Sequence, residues 1–294
     1  MLTIDKQQFS QNVRSTLQQT GQIPPLPETA RTLIKLRNNP NAQLRQLVDT
    51  VEKDPGLAAF LIKYARLSGF GYGNRISSVH QAVSLVLGYS TALNLSMGIA
   101  ASGSLRLPNH GALSQTNIWG KTLECAAMCR ELYPLSGCKG FYNGDIAYLC
   151  GLFHNFGHLL FAQLYPREFS YLNELATHYP EQDARALQLQ IFGITHDTIG
   201  MYLIKAWNLP EEIAIAIAEQ HFPDYSGKHA VYVKLVALAN RLLHGDPIVD
   251  GCPYMSTGIL LNELEIDEPP ALAALEKIRQ CHQEFESLAQ SLAA

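Results

Sequence analysis

Two imidazoles stand one helical turn apart in the most apolar stretch of this chain. Leu149 to Gln163 reads LCGLFHNFGHLLFAQ, with His154, Asn155 and His158 inside it. On one continuous helix, positions 154 and 158 share a face. A helix this apolar is expected to be buried, and a buried polar group without a partner costs roughly 1–3 kcal/mol. The partners open to the pair are a metal ion, a carbonyl, a carboxylate or trapped water. Histidine is the commonest transition-metal ligand, which makes metal chemistry the sharpest of these readings. The His-x-x-x-His spacing is weak alone. Its metalloprotease form needs glutamate after the first histidine, where this chain has Asn155. A satisfied core histidine is the simpler reading of either residue.

The chain has ten histidines, and two more matter. His196 and Asp197 follow Gly193-Ile194-Thr195. Thr195 reads as a helix cap, and Asp197 as a charge favoured by the helix N-terminal dipole. His221 closes the run from Ala214 to Gln220, where a charged histidine gains from the dipole at a helix C-terminus. Converging helices could gather His154, His158, His196 and His221 around a metal, although core and helix-end roles explain each one singly. Other chemistries lack their signatures. There is no Gly-x-x-x-x-Gly-Lys-Ser/Thr phosphate loop, no Gly-x-Gly-x-x-Gly and no Gly-x-Ser-x-Gly elbow. None of the six cysteines (Cys125, Cys129, Cys138, Cys150, Cys252 and Cys281) forms a Cys-x-x-Cys pair. Cys125 and Cys129 are one turn apart, but a cysteine zinc site would use a second pair nearby. The six read as free thiols of a reducing, cytoplasmic compartment.

These side chains have to be positioned by helices. With 294 residues, 47% hydrophobic and 16% charged, the chain suits a globular protein with a sizeable core. No stretch of about 18 consecutive uncharged apolar residues appears, so no transmembrane helix is expected. The N-terminus lacks a basic start followed by an apolar block, so it is not read as a signal peptide. A formal net charge of −4, without a long basic run, argues against nucleic acid as a partner. Asp54-Pro55 is a clear helix start, with aspartate as cap and proline in the first turn. Beyond it the spacing predicts helices over 118–132, 145–164 (with Asp145 as cap), 166–178, 183–192, 196–207, 210–221, 231–244 and 271–292. Period-two alternation bounded by turns is missing, so no strand is expected. The fold class is therefore all-α, an irregular helical array rather than a symmetric bundle. Ser102-Gly103 and Pro108 to Gly111 mark the best subdomain break.

In combination these motifs resemble the HDOD domains, the HD-related output domains of bacteria. The resemblance rests on Ile23-Pro24-Pro25-Leu26-Pro27, Asp54-Pro55-Gly56-Leu57, Ile76-Ser77-Ser78-Val79 with Leu87-Gly88, and Gly151-Leu152-Phe153-His154-Asn155-Phe156-Gly157. It continues through His196 with Gly200, Trp207-Asn208-Leu209-Pro210, and Ile217 with His221. Arg66-Leu67-Ser68 departs from the Asn-Ser-Ala that many relatives carry there. The spacing of Phe9, Val13 and Leu17 gives an N-terminal helix over 1–22, and the resemblance, which covers about 23–244, implies an N-terminal helical part over 23–105. That part packs on an HD-like helical part over 106–250, and a C-terminal helical extension covers 251–294.

The family is similar to the HD and HD-GYP metal-dependent phosphohydrolases. By motif order, the first ligand histidine is here replaced by Lys121, the His-Asp pair by His154-Asn155, and the late aspartate by Asn240. His196 and His221 match extra ligands of two-metal relatives, and His158 stands where the enzymes have lysine. Metal-assisted hydrolysis needs anionic ligands and an open metal position. Asn155 and Asn240 are neutral, and Lys121 carries a cation toward a cation's place. The resemblance thus implies a degenerate site, with Lys121 and the two asparagines filling the old cavity by hydrogen bonds and with no cofactor. A divalent transition metal on His154, His158, His196 and His221 is the other outcome. The function implied is a non-catalytic signalling or regulatory module acting through protein partners or a small ligand. The alternative is a divergent phosphohydrolase acting on a nucleotide or cyclic nucleotide.

Overall fold

The computed structural model describes residues 4–19, 21–103, 105–138, 142–222, 224–245, 248–249, 252–253 and 257–293. Apolar periodicity and side-chain caps set its elements. α1 (Lys6–Gln18) starts where Asp5 accepts from the Gln8 amide, and α2 (Glu28–Arg37) and α3 (Leu44–Glu52) follow. Asp54 caps α4 (Pro55–Ala65) through the Leu57 amide at 3.1 Å, as its sequence predicts. α5 (Val79–Gln81) runs through a π-turn (Ala82–Leu87) into α6 (Gly88–Ser102). Gly88, at a positive φ, lies at the joint of this one helical run.

That run, Val79–Ser102, is 24 residues long and apolar enough by length and composition to cross a membrane. Tolerating scattered serines and glycines in the window reveals a run that a search for unbroken apolar residues misses. Most of it is buried within this protein, and α6 packs on α2, α4 and α8 (Gly144–Phe153). It is a core helix by its contacts.

α7 (Gln115–Leu132) is a long and largely buried helix. It packs against α8, α14 (Ala230–His244) and the last helix. After α8 come α9 (Phe156–Leu164), α10 (Pro166–His178), α11 (Ala184–Ile191), α12 (His196–Ala206) and α13 (Glu211–Glu219). The only strands among the described residues are a two-residue antiparallel pair, β1 (Ile248–Val249) with β2 (Cys252–Pro253). α15 (Thr257–Glu263), α16 (Glu268–Gln280) and α17 (His282–Ala293) close the chain. The fold is all-α, and one continuous apolar core runs from Val13 to Ala289.

Two sequence expectations change. The helix expected over 271–292 is two, α16 and α17, broken at Cys281. More important, the helix expected over 145–164 is also two. Asn143 rather than Asp145 caps it, and the break falls at His154-Asn155. The cause is packing. A Cβ on Gly151 would lie 2.8 Å from Ala126 of α7, and one on Gly157 only 1.8 Å from the His196 carbonyl of α12. α8 is pressed to one neighbour and α9 to another, and the chain bends between them. His154 therefore ends α8 while His158 lies in the first turn of α9, so the two do not share one helix face.

Candidate metal centre

The bend delivers His158 to α12. Its ring stacks on that of His196, with centroids 4.0 Å apart and planes within 16°. The close approach needs glycine on both sides. Gly200 of α12 faces Gly157 of α9, where an added Cβ would meet the Gly157 backbone at 3.2 Å.

Thr195 caps α12 as expected, accepting from the Thr198 amide. The first two residues of α12, His196 and Asp197, are both buried. His221 follows the C-cap of α13 and stays partly open, its side chain 35% exposed. Donor atoms of His196, Asp197 and His221 all lie within 4.8 Å of one another. His196 Nε2 is 3.2 Å and His221 Nε2 3.4 Å from the same oxygen, Asp197 Oδ1. Gln220 Nε2 donates to that oxygen at 3.0 Å and to the His154 carbonyl at 3.1 Å. The other oxygen, Oδ2, accepts from Arg185 Nε at 2.8 Å. The Arg185 guanidinium lies 5.0 Å over the Phe222 ring, beside His221.

Electrostatics separate the anion from the imidazoles. Burial alone would raise the Asp197 carboxyl. The His196 and His221 rings, the hydrogen bond to His221 and Arg185 overcome that and hold it well below the ordinary carboxylate range. Burial pushes the His196 ring down, against the pull of Asp197. Burial and then the neighbouring His196 push His158 well below its ordinary value. His154 is lowered to about 3 by burial, partly offset by the Gly151 carbonyl 2.6 Å from its Nδ1. Burial thus disfavours the charged form of these three imidazoles, and Asp197 is held as the anion of the cluster.

The structure thus brings His158, His196 and His221 together, and it adds Asp197, which sequence reasoning had taken as a dipole charge. His154 borders the group through the Gln220 bridge. The remaining candidates stand apart. The Lys121 side chain is exposed on α7, Asn155 is buried at the bend, and Asn240 is half-buried on α14. Among the described residues none of these three side chains makes a hydrogen bond or ion pair, so the expected network of Lys121 with the two asparagines does not form. A lysine stem pointing to water keeps its full hydration, which a buried place among neutral amides would forfeit. Lys121 acts only at range, lowering His158 and, after burial, His244, which sits at about 4. Cys125, Cys129, Cys138, Cys150 and Cys281 are free thiols, and the Cys252 side chain lies outside the described residues.

The donor set suits one divalent transition metal. Two imidazoles and one carboxylate are borderline ligands that favour zinc or iron over magnesium or calcium. Unsatisfied buried atoms crowd the same place: among the described residues His158 Nδ1, Gln188 Nε2 and Gln220 Oε1 have no hydrogen-bond partner. One signal in the sequence pointed here. The chain's single His-Asp dipeptide is at 196–197, while the position matching the motif of the phosphohydrolases carries His154-Asn155.

Comparison with known proteins agrees with this fold. Residues 23–223 match the family described as "HDOD domain". The crystal structure of a "Putative signal transduction protein" from Marinobacter aquaeolei VT8 is similar over all of this chain and 68% of its own, at 31% identity and a TM-score of 0.78. An HDOD domain protein of unknown function from Geobacter sulfurreducens matches 98% of both chains at 22% identity and a TM-score of 0.71. A "Putative metal-dependent phosphohydrolase" from Shewanella amazonensis SB2B covers 97% of this chain and 99% of its own, at 17% identity and a TM-score of 0.68. The last two likenesses speak for the fold alone. An uncharacterized protein of Treponema pallidum (strain Nichols) is 26% identical over 235 residues, 79% of this chain. This chain spans only 44% of that relative's length.

Proposed function

The chain belongs to the HDOD domain family, and on that premise we propose that it is a regulatory module without hydrolytic turnover. It acts in bacterial signal transduction, through protein contacts or a small ligand, in the cytoplasm. The 31% identical relative named for signal transduction supports the setting. The buried free thiols suit a reducing compartment.

The observation that carries the reading is the state of Asp197. It is the only carboxylate in the cluster, and both its oxygens are engaged, Oδ2 by Arg185 and Oδ1 by Gln220. Where the phosphohydrolases hold a second acidic ligand, Asn155 offers a neutral amide. Two-metal hydrolysis needs bridging anions and a coordinated water, and this donor set supplies one tethered anion. His196, Asp197 and His221 would hold a single transition metal. Bound there, the metal would supply Lewis acidity and tie the start of α12 to the end of α13. His158, stacked on His196, keeps water from that face of the ring.

The test uses protein purified without an affinity tag. Metal content is measured together with hydrolysis of bis(p-nitrophenyl) phosphate in added Mn²⁺, for the wild type and for His196→Ala. The expected result is substoichiometric or stoichiometric metal that His196→Ala loses, with equal background hydrolysis in both proteins. Turnover that His196→Ala abolishes would overturn the proposal. It would favour the second reading, a divergent metal-dependent phosphohydrolase of nucleotides or cyclic nucleotides, for which the convergence of His196, Asp197 and His221 speaks.

A further inference from the structure

Gln188 lies on α11, four residues before the turn that leads to α12, and its side chain is fully buried. Its Oε1 sits 2.8 Å from the His196 backbone nitrogen and 2.9 Å from His196 Nδ1. A backbone N–H can only donate, so the amide atom facing it must be the carbonyl oxygen. That fixes which way the Gln188 amide points without reference to the ring. The same oxygen faces Nδ1, so Nδ1 must donate as well. A neutral His196 therefore carries its proton on Nδ1 and its lone pair on Nε2.

The lone pair is aimed at Asp197 Oδ1, 3.2 Å away. Two acceptors at that distance repel unless a cation lies with them. The arrangement is that of a metal ligand whose far nitrogen is held by an acceptor, which sets its tautomer and orientation. Three residues earlier on the same helix, Arg185 holds Asp197 Oδ2 and leaves Oδ1 turned to the imidazoles.

We infer that Gln188 is a positioning residue that selects the metal-binding tautomer of His196. This rests on the reading of His196, Asp197 and His221 as a cation site. α11 touches none of the donor nitrogens directed at the centre, yet it sets the chemistry of one.

The experiment has two arms. In the first, ¹⁵N-histidine spectra of the metal-free wild type are recorded at pH 7.5, with His196 assigned through His196→Gln. The expected result is a neutral ring protonated on Nδ1. A ring protonated on Nε2, or an imidazolium, overturns the inference whatever the site binds. In the second, Co²⁺ is titrated by its visible d–d bands into the wild type, Gln188→Leu and Gln188→Glu, with thermal melts of each. Removing such an outer partner lowers metal affinity by about 10–100-fold. Gln188→Leu is expected to lose that much, while Gln188→Glu, which keeps the acceptor, stays within about threefold of the wild type on this account. Equal affinity in all three sinks the role of Gln188 and leaves the cation site standing. No Co²⁺ bound by the folded wild type removes the cation site and the inference with it.

Discussion

Two regions that the sequence marked as candidate sites are organised in opposite ways. On the side of α7, α14 and the bend after α8, the positions that resemble the ligands of metal enzymes are Lys121, Asn155 and Asn240, and among the described residues those side chains make no hydrogen bond or ion pair. On the α12 and α13 side, His196, Asp197 and His221 converge on one oxygen and are braced by Arg185, Gln188 and Gln220. Loss of charge on one side is not loss of organisation on the other. A degenerate motif is therefore a poor guide to where the surviving chemistry lies. The bracing hydrogen bonds are the better guide, because most buried polar groups find a partner and a set of them turned on one carboxylate marks an organised place.

The largest way to break this comparison is to push the two sides apart. Gly157→Ala places a methyl group 1.8 Å from the His196 carbonyl. Overpacking against backbone should cost about 3 kcal/mol, read from urea denaturation, with loss of Co²⁺ binding. A wild-type unfolding midpoint would show that α9 and α12 are not locked as described.

Next is the anion. Asp197→Asn leaves Arg185 without its partner and should cost about 3 kcal/mol at pH 7. Because the folded carboxyl lies below its unfolded value of about 3.9, the wild type keeps this contribution above about pH 4 and loses it on further acidification. The variant's stability should fall less steeply over that acid range, and the two curves should approach each other as pH falls. Parallel curves would mean Asp197 is not the buried anion.

The third sharpens the neutral side. His154 is lowered to about 3 from an unfolded value near 6.5. The unfolded chain takes the proton first, so stability is complete above about pH 6.5 and falls toward pH 3, by at most about 1.4 kcal/mol per pH unit from this ring. His154→Gln should make the slope between pH 6 and 4 shallower, although its midpoint at pH 7 drops. An unchanged slope would place the proton elsewhere.

The smallest effect is expected at Lys121. If its charge filled an old metal cavity, Lys121→Ala would unfold the site. Exposed as it is, its loss should stay within about 0.5 kcal/mol, leaving Co²⁺ binding unchanged. A loss several times larger would restore the lysine to the centre.

Much of this was legible along the chain. Asp54-Pro55 gave a helix start that the Leu57 amide bears out, and Thr195 gave a second. The all-α class followed from spacing alone. What escaped was set by contacts between distant segments. The bend at His154-Asn155 depends on Gly157 meeting α12, some forty residues later, and a local periodicity carries no trace of that. Asp197 was visible but ambiguous, since a first-turn aspartate serves the helix dipole equally well. Arg185 and Gln188 had no motif at all. Their meaning appears only once α11 lies against α12.

The last two helices carry a practical consequence. The family match ends at residue 223, yet Phe285 and Ala289 of α17 are fully in the core, and His282 and Lys277 reach Glu124 and Glu131 of α7. Glu284 also accepts from the Ser68 amide and hydroxyl. A fragment cut at the family boundary would bare the flank of α7 and set an apolar face in water. The stretch that the family model matches is thus shorter than the stretch that packs together. Swapping this domain between proteins should succeed only when the helices that wrap it travel too.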